Sequence, residues 1–166
     1  MGLAATLDPI HSNPLDRVER LAERRDWTLD RPSNDELLMA VEGGWCALSL
    51  SLSWRDDLES LLVACVFELK VPEKRREEMA RLVASMNTQL VHGHFEFWEK
   101  DASVVFRNSL LLAGGAEAND AQCEELIRLA VDCCQRYYPA VQFVIWAGHT
   151  AAQALDSALL ETHGEA

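Results

Sequence analysis

Residues 67–113 read FELKVPEKRREEMARLVASMNTQLVHGHFEFWEKDASVVFRNSLLLA. An apolar run ends at Leu69, Pro72 opens a charged segment, and an aromatic stretch follows. Proline is tolerated in the first turn of a helix, where its missing N–H has no partner to lose. Behind it Met79, Leu82, Val83, Met86 and Leu90 recur at helical spacing, with Glu77, Glu78 and Arg81 on the other side. Glu77 and Arg81 stand four apart with the acid first, the favourable order. Gly93 is expected to stop this helix. His94 to Glu99 and Ser103 to Leu112 then read as a hairpin across Lys100, Asp101 and Ala102, and Gly114-Gly115 ends the sheet.

Upstream, Cys46, Leu48, Leu50, Leu52 and Trp54 alternate with Ala47, Ser49, Ser51 and Ser53. A period of two with one apolar and one small polar face describes a strand buried on one side of an antiparallel sheet. Leu37, Met39 and Val41 alternate before it, and Gly43-Gly44 suits the positive backbone angles of a tight hairpin between the two. Leu61 to Leu69 is apolar on both faces until Glu68, as a central strand would be. Trp27 to Asp30 can add a short edge strand, ended by the turn residues Arg31 to Asn34. Before it, Ser12 or Asn13 can cap a helix with Pro14 in its first turn, running to about Arg25.

Downstream, Asn119 or Asp120 caps a third helix that turns Leu126, Ile127, Ala130, Val131 and Cys134 inward. Pro139 kinks or ends it. The run Val141 to Trp146 is apolar without a clear period; a kinked helical continuation is the favoured reading and a strand the alternative. Thr150 and Gln153 form a capping box for a short last helix to about Glu161. The sum is an α+β fold of order α-β-β-β-α-β-β-α(-α), with an antiparallel sheet of about five strands and flanking helices. Residues 1–11 read as a flexible lead and 12–166 as a single domain.

A chain of 166 residues can bury about two-thirds of its unfolded surface and needs neither disulfide nor metal to fold. With 27 acidic and 15 basic residues it carries a formal charge of −12, which repels nucleic acid and anionic membrane surfaces. No secretory signal and no run of about 20 apolar residues is visible, so the expected compartment is the reducing cytoplasm. Five cysteines without a C-x-x-C pair fit there as small core residues.

No nucleophile, base and acid converge in this plan, and no cofactor or metal is expected. His92, His94 and Glu96 alternate, but Gly93 interrupts them and a zinc site ordinarily needs at least three protein ligands. Cys123 and Cys134 fall on one helical side, yet Cys134 already belongs to the apolar stripe. The glycine pairs lack the lysine and helix entry of a phosphate loop, and Ser49, Ser51 and Ser53 lie on a strand rather than a nucleophile elbow. Trp98, Phe143 and Trp146 exceed what the local patterns require. Aromatic residues concentrate at interface centres, so these three are the candidate partner or dimer surface.

At FELKVPEKRREEMARLVASMN, GHFEFWE, RNSLLLAGG, RYYPAVQFVIWAGHTAAQAL and LLETHGEA the chain resembles the YbjN-domain family, described as bacterial sensory transduction regulators. The resemblance runs from the first helix onward and is strongest after Phe67. His149 stands where a lysine is expected. The resemblance implies a fold similar to type III secretion chaperones and a regulatory or chaperone-like role in binding proteins; it supplies no catalytic residues. The expectation is therefore a non-enzymatic domain that binds another protein, with a homodimer as one form. The competing expectation is a small-molecule- or metal-binding enzyme whose site is assembled from distant loops.

Overall fold

The computed structural model describes residues 12–163; the expected lead, residues 1–11, lies outside them. Helix α1 (Pro14–Arg25) starts where Asn13 Oδ1 accepts the Leu15 N–H at 2.9 Å, and it ends at Asp26, whose φ of 56° is left-handed. Strands β1 (Leu29–Ser33), β2 (Glu36–Glu42), β3 (Ala47–Arg55) and β4 (Ser60–Val66) precede α2 (Arg76–Asn87). Strands β5 (His94–Trp98) and β6 (Ser103–Leu111) follow, then α3 (Asp120–Gln142) and α4 (Ala151–His163). The strands form one antiparallel sheet in the order β1-β2-β3-β4-β6-β5. It has six strands rather than about five, because the short edge at Leu29–Ser33 pairs with β2 through Leu29, Asp30 and Ser33.

All the helices lie on one side of this sheet. That side is built from Leu37 and Met39, from Leu48, Leu50, Leu52 and Trp54, and from Leu61, Val63 and Cys65, all buried. Their neighbours Leu38, Ala40, Ser49, Ser51, Ala64 and Val66 point to the opposite side, where no helix of the described residues lies. The strict alternation of β3 thus sets which side of the sheet takes the core.

Three expected features differ in detail. Helix α2 begins after a 3-10 turn at Glu73–Arg75 and stops at Asn87, well before Gly93. It stops there because the Asn87 amide leaves the helical side and bonds to β5: Phe95 N–H donates to Oδ1 at 2.7 Å, and Nδ2 donates to the Phe95 carbonyl at 2.9 Å. Gly43 does not take a positive φ; the loop needs glycine because a Cβ there would lie 2.5 Å from the Cys46 carbonyl oxygen. Gly93 does take one, at 69°, and a Cβ on it would also strike the Phe106 ring and stand 2.7 Å from the Arg107 carbonyl oxygen.

Residues 139–147 are helical, so the strand alternative falls. Pro139 sits inside α3, which runs on to Gln142 and then through one π-helical turn at Phe143–Ala147 until Gly148, φ 70°, ends it. The reciprocal bonds expected for Thr150 and Gln153 are present, as is a second capping box between Asn119 and Gln122. Glu78, on the charged side of α2, reaches α4 and accepts the Ala151 N–H at 2.6 Å. A carboxylate at that helix start meets both a free donor and the positive end of the helix.

Both margins of the sheet are obstructed in part. On β5 the Asn87 amide occupies the outward N–H and C=O of Phe95, and on β1 Pro32 and a register shift between Asp30 and Ser33 interrupt the edge. Proline, bulges and covering groups are the usual means of keeping edge strands from pairing with another chain.

Two outcomes follow for stability. Asn87→Ala leaves the partly buried Phe95 donor and acceptor without their partner and should lower the unfolding free energy by about 1–3 kcal/mol in denaturant melts. A loss indistinguishable from zero would mean that water serves Phe95 equally well. Glu78→Ala should lower the melting temperature, whereas Glu77→Ala, which removes only an exposed ion pair with Arg81, should leave it nearly unchanged. Equal effects would show that the bridge to α4 contributes nothing.

Candidate functional site

A groove of about 660 Å³ lies between the start of β1, the end of β2 and the outer side of α3. Trp27, Val41, Ile127 and Val131 supply apolar lining, and Ala121 stands exposed at one end. Helical spacing explains the α3 contribution: Ile127 and Val131 are four apart and follow the stripe that also buries Cys123 and Ala130. Trp27 is placed by the left-handed Asp26 and by its own N–H, which donates to the Ala22 carbonyl at 3.0 Å.

Ion pairs rim the groove. Arg25 pairs with Glu124, its Nε donating to Oε1 at 2.8 Å. Arg128 bridges Glu125, with Nε–H donating to Oε2 at 2.9 Å, and Asp132 one turn further on. Hydrogen bonding to Glu125, then its charge, raises Arg128, and the same bond holds the Glu125 carboxyl below its ordinary range. These groups are matched to one another in ion pairs.

Elsewhere the displaced titrations run the same way. Hydrogen bonds from Arg24 and Arg17 hold Asp120 low, and the Ala151 N–H does so for Glu78. Burial alone would raise Glu96, but hydrogen bonds from Trp98 and His94 and the charge of Arg107 outweigh it and the carboxyl is held low. Burial raises the Cys46 and Cys133 thiols, pushes Cys123 up to about 11, and raises Cys134 further still beside Cys65. Tyr138, buried and bonded to Cys46, is pushed up to about 12. Acids are displaced downward and thiols and phenols upward, away from neutrality.

The residues singled out from sequence part company. Trp98 lies on the helix-free side of the sheet, 39 % exposed, with its indole N–H donating to Glu96 at 2.6 Å. Phe143 and Trp146 belong to the π turn at the end of α3. Phe143 is half-buried and stacks on His149 with centroids 5.2 Å apart, while Trp146 is 67 % exposed. One surface does not contain all three. His94 and Glu96 do share a side of β5 and bond at 2.8 Å, but Glu96 is also taken by Arg107 and Trp98. His92 stands apart, in the bend before the strand, and among the described residues no group of three ligand-type side chains could hold a metal.

The groove itself was missed by sequence reading, because Trp27 and Val41 are remote from α3 along the chain. Trp27 was noted only as the start of an edge strand, and the available signal was its size at a half-exposed position. Cys134, on the buried stripe of α3 as expected, also meets Cys65 across the α3–β4 contact, a neighbour that helical spacing does not show.

Among the described residues no helix is long and apolar enough to cross a membrane. No curated protein matches the chain. The crystal structure of YbjN from E. coli is similar, with a TM-score of 0.55 at 10 % identity, over 73 % of this chain and 85 % of that one. The crystal structure of the ExsC–ExsE complex gives 0.48 at 22 % identity, over 73 % of this chain and 92 % of that one. At these identities the likeness to YbjN speaks for the fold alone. The family model for YbjN, "Putative bacterial sensory transduction regulator", matches residues 14–143, from the first residue of α1 past the last of α3. Taking in all six strands and three of the four helices, that match means the chain belongs to the YbjN family.

Proposed function

We propose that this domain is a non-enzymatic regulator that acts by binding another protein, and that it works as a pair of chains. One observation carries the reading: the groove beside α3 has apolar lining and a rim of matched ion pairs, with Glu125 and Arg128 displaced away from neutrality. General acid–base chemistry favours a group whose pKa lies close to the working pH. Burial of an apolar segment needs only the floor. The family's regulatory description agrees with this.

The occupant that fits is an apolar segment of a partner protein flanked by basic side chains. Trp27, Val41, Ile127 and Val131 take its apolar groups, as a helix or strand laid along a groove does. Glu124, Glu125 and Asp132 outnumber Arg25 and Arg128 on the rim, and the chain as a whole carries −12. A basic segment is therefore drawn in and an acidic one repelled. Trp146 offers a second contact, since an indole so exposed at the α3 terminus is otherwise unexplained.

Affinity capture from the native cell under reducing conditions tests the site. The wild-type domain should retain a stoichiometric protein, and Ala121→Arg or Val131→Glu should release it while remaining folded. Loss with Trp146→Ala alone would move the contact to the end of α3, and retention by all three variants would sink both assignments. The absence of thiol chemistry is separately measurable. Raised pKa values mean little thiolate at pH 8, so a disulfide reagent should modify Cys46 and Cys133 slowly and Cys65, Cys123 and Cys134 only after unfolding. A thiol reacting faster in the native protein than in denaturant would contradict this.

A further inference from the structure

The side of the sheet that no helix of the described residues covers is unlike the rest of this acidic protein. Across β2, β3 and β4 its inner positions are Leu38, Ala40, three serines, Leu62, Ala64 and Val66, with no charged residue among them. Leu38 and Val66 are 40 % and 39 % exposed, and a shallow hollow of about 410 Å³ lies between them. A quarter of the chain is charged, yet the charges on this side stand at the ends of β2 and β3 and on the flanking strands β1, β6 and β5.

We propose that this side of the sheet is the surface on which a second copy of the chain docks, sheet against sheet. This rests on the reading of the domain as a protein-binding pair, but not on the groove at α3. Two chains of −12 repel each other, and contact is least opposed where carboxylates are absent. Pairing within the plane of the sheet is hindered, since Asn87 takes the outward groups of Phe95 and Pro32 interrupts β1.

The strand order makes the face complementary to itself. A two-fold axis along the strands, between β3 and β4, lays β3 on β4, β2 on β6 and β1 on β5 of the second copy. The registered row Asp30, Leu38, Ser51, Ala64, Arg107, His94 then meets its own reverse. Ser51 comes over Ala64, and in the next row Ser49 comes over Val66, so small groups oppose aliphatic ones and the sheets can approach to about 10 Å. At the border Asp30 comes over His94 and Leu38 over Arg107, whose guanidinium and the His94 ring are both held by Glu96 on the same side. Trp98 lies on the same side, on β5. Six strands about 4.8 Å apart and about seven residues long cover on the order of 700 Å². Stable interfaces commonly take about 800 Å² from each partner, so the size suits a reversible dimer.

Sedimentation equilibrium of the full chain over a wide concentration range tests this. The wild type should sediment as a dimer dissociating at low concentration. Ala64→Arg places a charge at the centre of the face, where a lone chain leaves it in water. It should weaken association by at least about tenfold with unchanged thermal unfolding. Ser51→Lys is read in the same way should Ala64→Arg fail to fold. Ala121→Arg, in the groove, should stay dimeric even where it loses a captured partner, so the two readings fail separately. A monomeric wild type at the highest concentration, or a dimer that withstands both face variants, overturns the proposal.

Discussion

Phe95 is the point on which the structure depends. Its ring meets Phe106 at 5.2 Å, Tyr137 at 5.5 Å and Phe67 at 6.0 Å, each edge-on, and Tyr138 extends the cluster through Phe67. Edge-to-face packing sets ring directions as well as burying area. Through these contacts one residue of the outermost strand fixes β6, α3 and the chain leaving β4. Its backbone meanwhile is held by Asn87 at the end of α2. Side chain and main chain of a single residue therefore bind four separately coded elements, and the sheet cannot shift register at β5 without breaking both.

From that constraint the one-sidedness of the molecule follows. Helices α2 and α3 are committed to the side of the sheet that carries Phe95, and α4 is tied to α2 by Glu78. Nothing in the described chain is left to cover the other side. Short serine and alanine side chains on β3 and β4 make that bareness tolerable, because they expose little apolar area each.

Local signals made most elements legible. Alternation in β3, Pro14 at the start of α1 and the Thr150–Gln153 pair each act over a few residues, and each appears where the pattern placed it. What sequence could not show was decided over distance. The end of α2 depends on an amide reaching residue 95, and the glycine at 43 answers to crowding by Cys46 rather than to a backbone angle. The candidate surface suffered most. Trp98 and Trp146 look alike as exposed aromatics, but only the sheet order reveals that they lie on different parts of the molecule. The α3 groove has walls about a hundred residues apart, and no window of sequence contains both.

The obstructed margins carry a consequence for how assembly ends. A sheet with a free edge can add strands without limit, and repeated addition of one chain to the next gives a fibre. Here one margin is covered in part by a side-chain amide, the other is broken by proline, and helices occupy one whole side. A single contact surface used twice about a two-fold axis is self-terminating. Were this face used in the way proposed, the assembly would end at two chains, and growth through the sheet would first have to displace Asn87 from Phe95 or straighten β1 at Pro32.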